Sequence, residues 1–419
     1  MGRHAVAWGA VGVVAALLAI GCRSDQAGSP GRSPDHAGAP APAPARIGGL
    51  QLPRLDDAVA ELRVLDEEVV LWRGRLGRDP GAAGPLCERL LRRAGVLGRL
   101  DDYVEADRVA QAWAQAAPTL LPAQRNRARV DAALHRFAAA RARLDAAIAG
   151  GLAASEVATE LAELALATGQ AERALPTLRR AVDLGGDPAA LVALARALGE
   201  TGSIGDGKRL MAAAWRAVRT TSALAVAGLL FQWGRLLEEA GDVSGARDRY
   251  ALAAVAAPTH HDISVHLAGV LAATGERDRA ITLLEADLAR ADHPETASQL
   301  ALLLRGRDAA RAAALAARAS AGWDARVGAL PEAFADHAAR HYLTLGDPAS
   351  RARALALATR NHAVRVTVDS EVLLLEAAQV ADDPAVGCPV RAALEARAST
   401  APAAIAILAR TAAFCPRDG

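Results

Sequence analysis

Residues 230–258 read LFQWGRLLEEAGDVSGARDRYALAAVAAP, and this stretch decides the fold. Its first half places large apolar side chains at helical spacing on one face, namely Leu230, Trp233 and Leu237. Gly241 then accepts the backbone angles of a tight turn, and Pro258 lacks the amide hydrogen that a continuing helix would need. The stretch therefore predicts two helices joined by a short turn.

The same pattern recurs along the chain in steps of 34 residues. A small residue opens the second helix of each pair at Ala106, Ala140, Ala174, Ala246 and Ala280. The step of 72 residues from Ala174 to Ala246 leaves room for one more unit, centred on Gly207. Small residues let two helix backbones approach closely. The recurrence therefore indicates a stack of helical hairpins, each of which buries its apolar face against its neighbours.

In its small, large, glycine and proline positions, this unit resembles the tetratricopeptide repeat (TPR). The resemblance covers residues 85–400 and implies about eight to nine units, five of them clear. It implies an all-α fold with no β-sheet, in which antiparallel helix pairs stack into a right-handed superhelix, a TPR-like α-solenoid. Residues 54–84 are expected to form an N-terminal capping helix and turn, and residues 401–419 a C-terminal capping helix and tail.

Two regions fit the repeat poorly. The first helix of the unit around Ala140 carries Gln124, Arg127 and Asp131 where apolar side chains are expected, so the register of residues 120–135 is left open. After Arg305 the turn glycines fall out of phase with the repeat. The units beyond that point are inferred from helix-pair lengths alone.

Residues 1–21 predict export from the cytoplasm. A short basic start precedes an apolar run from Ala5 to Ile20, which is shorter than the ~20 residues that span a bilayer comfortably. The run ends in LAIGC at Cys22, which resembles the signal peptide of bacterial lipoproteins. The resemblance implies that the chain is cut before Cys22 and that this cysteine carries the lipid. The alternative is an ordinary secretory signal followed by a chance cysteine.

The segment after the cysteine predicts a tether. Residues 22–53 are rich in Ser, Gly, Ala and Pro, which cannot build a core and favour a disordered chain. On the lipoprotein resemblance, the N-terminal lipid is the only membrane attachment. Arg23 after the cysteine is similar to lipoproteins sorted to the outer membrane, so the expected location is the periplasmic side of that membrane.

Charge and composition favour proteins or peptides as partners. The chain has 48 basic and 47 acidic residues, and this balance gives no support to nucleic acid as a partner. Aromatic residues make up only 3% of the chain, so the helices are expected to pack mainly through Ala, Leu and Val. Exposed charges from such helices would then face any partner.

Three of the four cysteines receive a role. Besides Cys22, Cys388 lies at the start of one C-terminal helix and Cys415 at the end of the next. Antiparallel helices of similar length bring such ends together, so a disulfide between them is predicted, with two unpaired cysteines as the alternative. Cys87 is interpreted as a small core residue.

Two motifs that suggest chemistry have simpler explanations. Residues 202–209, GSIGDGKR, approach a phosphate-binding loop, but Arg209 stands where Ser or Thr would hold magnesium, and no strand precedes them. His337 and His341 lie one helical turn apart, as zinc ligands would, but no third ligand is evident there. His260, His261 and His266 lie around an inter-repeat turn, in which Asp262 is more simply a helix cap. We therefore expect no cofactor, no metal and no catalytic residues.

The concave groove of the array is the expected binding surface. In the TPR family the first helix of each pair lines this groove, and extended or helical peptides bind there. By register, the inward positions are Glu156, Thr159, Glu163, Val192, Arg196, Phe231, Arg235 and Glu238. Arg196 and Arg235 are equivalent in different units and would grip a peptide carboxylate, whereas the alternative is that these charges only solvate a helix face.

These features together predict a lipid-anchored scaffold or adaptor of the cell envelope that binds other proteins or peptides. The alternative is a structural subunit of a secretion, pilus or outer-membrane assembly complex. An enzyme, or a nucleotide- or metal-binding protein, is the remote alternative. The sequence does not identify the partner.

Overall fold

The computed structural model describes residues 45–185, 187–397 and 401–415. The predicted signal peptide, Cys22 and most of the predicted tether lie outside the described residues. Within the described part no helix is both long enough and apolar enough to cross a bilayer.

The described chain is almost entirely helical, which confirms the all-α fold. Twenty α-helices follow in order: α1 Ala58–Arg75, α2 Ala83–Leu97, α3 Leu100–Ala116, α4 Leu121–Ala133, α5 Phe137–Ala149, α6 Ala158–Ala167, α7 Ala171–Gly185, α8 Pro188–Glu200, α9 Ile204–Ala217, α10 Ala223–Glu239, α11 Val243–Ala256, α12 His261–Ala273, α13 Arg277–Arg290, α14 Pro294–Leu304, α15 Ala309–Ala329, α16 Pro331–Leu345, α17 Pro348–Val364, α18 Val368–Ala381, α19 Pro384–Ala396 and α20 Pro402–Arg410. From α2 to α19 they pack as successive pairs, each first helix against the second that follows it.

The small residues of the repeat lie where the helices of a pair cross. Ala106, Ala140, Ala174, Ala246 and Ala280 are all fully buried. Gly234 of α10 faces the ring of Tyr250 on α11 so closely that a Cβ atom there would overlap the ring. The repeat period therefore reflects positions at which a larger side chain would push two helices apart.

The register left open around α4 is resolved by buried charges. Arg127 and Asp131 are both buried, and Arg127 Nη2 lies 2.7 Å from Asp131 Oδ1. Arg127 Nη1 also lies 2.6 Å from Asp107 Oδ1 on α3, and Arg143 Nε of α5 donates to Asp131 Oδ2 over 2.9 Å. Gln124 accepts from Arg143. An ion-pair network thus occupies the positions where apolar residues were expected, because each buried charge has a partner of opposite sign.

Helix length explains why the period fails after Arg305. Helix α14 has 11 residues against 13 in the corresponding first helix α12, so Gly306 comes early. Helix α15 has 21 residues, whereas the corresponding second helix α13 has 14. The extra two turns of α15 delay every later unit. The helix pairs continue through this region although the spacing of the turn glycines changes.

A small β-hairpin departs from the expected absence of β-sheet and from the expected tether. Arg46–Ile47 and Leu50–Gln51 form two antiparallel strands, joined by Gly48 and Gly49 with φ of 55° and 75°. Two successive positive φ angles are typical of a tight hairpin turn, and glycine adopts them without strain. Ile47, Leu50 and Leu52 pack against the main apolar core, so the ordered chain begins before residue 54.

The array coils until its later helices contact its earlier ones. Ser222, which precedes α10, donates a hydrogen bond to Glu61 of α1 over 2.7 Å. Arg326 of α15 donates to the carbonyl of Gly98, between α2 and α3, over 2.9 Å. In the turn between α6 and α7, Gly169 lies directly against the Val366 carbonyl before α18. These contacts join residues 161 to 228 positions apart, so the solenoid is a tight coil and not an open arc.

The C-terminal end of the coil is covalently fixed. Cys388 in α19 and Cys415 after α20 form a disulfide, with their Cα atoms 5.5 Å apart. Cys87 in α2 is buried and unpaired, and burial raises the pKa of its thiol to about 11. Such a thiol stays protonated and inert at neutral pH.

Contact between turns of the coil should contribute measurably to stability. Gly169 and Gly275 occupy equivalent repeat turns with φ of 77° and 90°, but only Gly169 faces another backbone. Each Gly→Ala substitution should cost about 1 kcal/mol for the positive φ, and Gly169→Ala should cost at least about 1 kcal/mol more because its Cβ meets Val366. Thermal unfolding of the two variants compares them, and equal losses of stability would contradict the contact.

The disulfide is expected to stabilise the terminal helices. Closing a loop of 27 residues should contribute about 3–4 kcal/mol to the free energy of unfolding. Replacing both Cys388 and Cys415 by Ser should therefore lower the melting temperature and expose α20 to proteolysis first. Peptide mapping of the parent protein without reductant should recover the two cysteines in one linked fragment, and their recovery as separate thiols would exclude the bridge.

Candidate functional site

The first helices of the pairs line the inner side of the coil. They pack against one another from pair to pair, as α8 does against α10 and α16 against α18. Elements on the inside of a curve lie closer together than those on the outside. Side chains that α6, α8, α10 and α18 direct away from their own partner helices therefore converge on the inner side.

Six charged residues meet on this inner side, and we call them the inner charged cluster. Its members are Glu163 of α6, Arg196 and Glu200 of α8, Arg235 and Glu239 of α10, and Asp369 of α18. Their charges act on one another. The pKa of Arg196, that of Glu200 and that of Arg235 are each affected by the charges of at least two other members. Two of the carboxylates have close partners, since Glu239 lies 2.6 Å from Arg235 Nη2 and Asp369 lies 2.8 Å from Arg340 Nη2.

The cluster is partly removed from water. Burial raises the pKa of Glu163 to about 7, against the opposing charge of Arg196. Glu200, in contrast, is exposed at the end of α8. Burial, and next the positive charge of Arg235, lower the pKa of Arg196. Because some of these side chains still contact solvent, they line a narrow, walled surface rather than a sealed core.

Arg196 and Arg235 can each donate a further hydrogen bond. Arg196 Nη1 and Arg235 Nη1 are both buried without a hydrogen-bond partner among the described residues. Arg235 makes an ion pair through its other terminal nitrogen only, and no ion pair of Arg196 occurs in the described part of the chain. A buried donor without a partner costs about 1–3 kcal/mol. A carboxylate reaching both guanidinium groups would recover that cost.

A small apolar cleft opens beside the cluster between α4, α5 and α6. Leu144 and Leu164 form its apolar wall, and Glu163 and Arg129 lie at its polar edge. Glu163 therefore borders both the cleft and Arg196. A ligand with an apolar group next to a carboxylate could therefore place the apolar group at the cleft and the carboxylate at the arginines.

The structure places the predicted groove residues unequally. Burial raises the pKa of Glu163 against the charge of Arg196, and burial and then the charge of Arg235 lower the pKa of Arg196, so each of the three lies within electrostatic range of the next. Val192 and Phe231, in contrast, are fully buried in the core and have no surface to offer a ligand, so their assignment to the groove is wrong.

The remaining groove candidates are peripheral or already engaged. Glu156 lies in a short 3-10 turn before α6, not in a first helix, and Thr159 is exposed at the start of α6. Glu238 accepts a hydrogen bond from Tyr250 over 2.7 Å and lies 3.1 Å from His266 Nδ1. Its carboxylate therefore holds α10 against α11 and α12.

Sequence reasoning missed three members of the cluster. Glu200 and Glu239 each follow an inner arginine by four residues, so the pattern Arg-x-x-x-Glu repeats in neighbouring units and was a usable signal. No sequence pattern near Asp369 indicated its membership, because its charge acts on Arg235 only when the coil is closed.

The motif that approached a phosphate-binding loop is a repeat turn. Helix α9 begins at Ile204, inside the glycine-rich stretch, and Gly207 lies against the Ala195 carbonyl of α8. Lys208 Nζ lies 3.1 Å from Asp242 Oδ2, which starts the second helix of the next pair. The lysine thus links two repeat units.

The comparisons with known proteins concern the fold. No protein-family model and no curated protein sequence matches the chain. Among solved structures, it is similar to the human IFIT1 dimer with m7Gppp-AAAA, at 14% identity and a TM-score of 0.46 over 81% of this chain and 79% of that one. It is similar to Pseudomonas aeruginosa pilF, at 17% identity and a TM-score of 0.32 over 61% and 97%.

A tetratricopeptide repeat protein from Parabacteroides merdae is also similar, at 14% identity and a TM-score of 0.37 over 62% of this chain and 98% of that one. Such scores carry no argument about partners or activity. The stacked helix pairs, with buried small residues where they cross, make the fold TPR-like.

Proposed function

We propose that this protein is a lipid-anchored adaptor of the cell envelope that binds proteins or peptides on the inner side of its coil. A carboxylate of the partner is held by Arg196 and Arg235. The observation that supports this proposal is the pair of buried guanidinium nitrogens without partners on adjacent inner helices.

The chemistry of the inner side favours a peptide over a small anion. The guanidinium groups of Arg196 and Arg235 would take a side-chain or terminal carboxylate, and the cleft beside Leu144 and Leu164 would take an apolar side chain. The carboxylates of Glu163 and Glu200 border the same surface and disfavour a highly charged anion such as nucleic acid. The proposed ligand is therefore a peptide segment with one carboxylate near an apolar residue.

The proposed location rests on the N-terminal sequence. The apolar run that ends in LAIGC at Cys22 supports lipidation, and Arg23 supports sorting to the outer membrane. The chain between Cys22 and the hairpin at Arg46 would separate the lipid from the coil and leave the inner side accessible to partners.

Removing the two inner arginines should abolish capture of partners. Arg196→Gln with Arg235→Gln keeps polar side chains of similar length, but removes both charges that would hold a carboxylate. Immobilised variant protein should lose most of the proteins that the parent captures from detergent-solubilised envelope, as quantified by mass spectrometry. Circular dichroism should show unchanged helicity.

The matched control is Arg179→Gln with Arg180→Gln. Both arginines are exposed on α7, a second helix, so the control removes the same charge from outside the inner side. It should capture the same proteins as the parent. If the parent, the variant without the inner arginines and this control all recover the same assembly in fixed stoichiometry, the adaptor proposal is contradicted. That result would favour a permanent structural subunit.

Cys22→Ser should detach the protein from the membrane. The acyl chains supply the membrane affinity, so their loss should move the protein to the soluble envelope fraction or leave an unprocessed precursor. Fractionation and gel mobility of the expressed full-length chain measure the result. A variant that fractionates and migrates like the parent would show that Cys22 is not lipidated.

A further inference from the structure

Three residues that can bind a metal ion meet between two neighbouring repeat units. His261 is the first residue of α12, Asp287 lies in the last turn of α13, and His293 directly precedes α14. One ligand atom from each of the three lies within 4.8 Å of the other two. All three side chains are buried. Along the chain His261 is close to His260, Asp262 and His266, but in the fold its partners are Asp287 and His293.

His293 has a nitrogen that nothing in the described chain satisfies. Its side chain is only 6% exposed, and Nδ1 is buried without a hydrogen-bond partner. Buried polar atoms in folded proteins nearly always have a partner. The His293 ring lies 3.9 Å from the His261 ring, centroid to centroid, so the two imidazoles belong to the same cluster.

The carboxylate of Asp287 is held as a ligating carboxylate would be. Thr296 Oγ1 donates to its Oδ2 over 2.6 Å, and Arg290 Nη2 donates to its Oδ1 over 2.9 Å. Asp287 Oδ2 lies 3.0 Å from His261 Nδ1. Partners that fix the orientation of a ligand in this way are typical of metal centres.

Glu295 lies beside the three but faces the other nitrogen of His261. Glu295 Oε2 is 3.8 Å from His261 Nε2, whereas Asp287 Oδ2 is 3.0 Å from Nδ1 of the same ring. One ion can be bound by only one of these two nitrogens, so Glu295 is not counted among the ligands. Two imidazoles and one carboxylate, with water in the fourth position, form a donor set that zinc takes in proteins.

The preceding turn of the coil covers this cluster. Gly98 has a φ of 63°, and a Cβ atom there would lie 2.9 Å from His293 Cε1 and 3.0 Å from His261 Cδ2. Arg326 holds the Gly98 carbonyl in place. The absence of a side chain at residue 98 is thus what allows both rings to occupy this position.

An ion pair alone accounts for only part of the cluster. A protonated His261 next to Asp287 would explain the contact between these two residues. It leaves the His293 nitrogen without a partner and gives no reason for the second imidazole to stack there. A metal ion accounts for all three residues.

We propose that His261, Asp287 and His293 bind one divalent transition-metal ion, with zinc as the best match. The ion would join α12, α13 and the start of α14, and so would clamp two successive repeat units beneath the preceding turn of the coil. The role is structural, and it is independent of any partner held on the inner side by Arg196 and Arg235.

The test uses the chelator-treated protein titrated with Zn²⁺ and with Co²⁺. We expect one bound ion per chain by elemental analysis, a visible absorption band of cobalt with nitrogen and oxygen ligands, and a higher melting temperature with Zn²⁺. His293→Ala should weaken Zn²⁺ binding more than about a hundredfold, since even the loss of an outer-shell partner costs up to about that factor.

His260→Ala is the matched control. His260 and His293 each precede the first helix of a pair, both are buried, and both have an Nδ1 atom without a partner. Only His293 belongs to the group of three ligand residues. His260→Ala should therefore keep the Zn²⁺ affinity within a few-fold of the parent, although it removes an equivalent imidazole.

A second variant separates loss of ligand from loss of fold. Asp287→Asn keeps the size of the side chain and its acceptor for Thr296, so circular dichroism should remain that of the parent while Zn²⁺ affinity falls. Absence of any ion on the parent protein after titration would overturn the proposal. Equal Zn²⁺ affinity of the parent, His293→Ala and Asp287→Asn would overturn it as well.

Discussion

The close approach of successive turns of the coil is the constraint on which the rest of the structure depends. It is possible only where a turn presents no side chain: Gly98 lies under two histidine rings, and Gly169 lies against the Val366 carbonyl. A single Cβ atom at either position would keep the turns apart. The main apolar core accordingly joins residues of α1 and α2 to residues of α8 to α20.

Closure of the coil also determines the electrostatics of the inner side. In an open solenoid, Arg196 and Arg235 would be solvated side chains on helix faces. Here the charge of Asp369, from a later turn, acts on Arg235, and burial raises the pKa of Glu163 to about 7. Arg196 and Arg235 are thereby partly desolvated. A carboxylate of a partner would bind more strongly to them there than on an exposed helix face, because the local dielectric is lower.

The repeat pattern was sufficient to predict the helix pairs, because each small residue and turn glycine acts through its immediate neighbours. It also assigned Arg196 and Arg235 to equivalent positions of two units, and their role in binding stays a prediction. Local patterns could not predict contacts between turns, such as Ser222 with Glu61 or Gly98 with His293. Nor could they show that Val192 and Phe231 would be buried, or that Arg127 and Asp131 would form an ion pair inside the core.

The hydrogen bond between Arg326 and Gly98 joins residues 228 positions apart, and this distance bears on how the chain folds. An open repeat array is nearly one-dimensional, so its units can form and melt in sequence, each aided only by its neighbours. Here Arg326 of α15 can form its hydrogen bond only when the turn that contains Gly98, between α2 and α3, is in place. Such long-range closure slows folding and couples the two halves. The protein should therefore lose its ends and its middle in one cooperative transition, as a globular domain does.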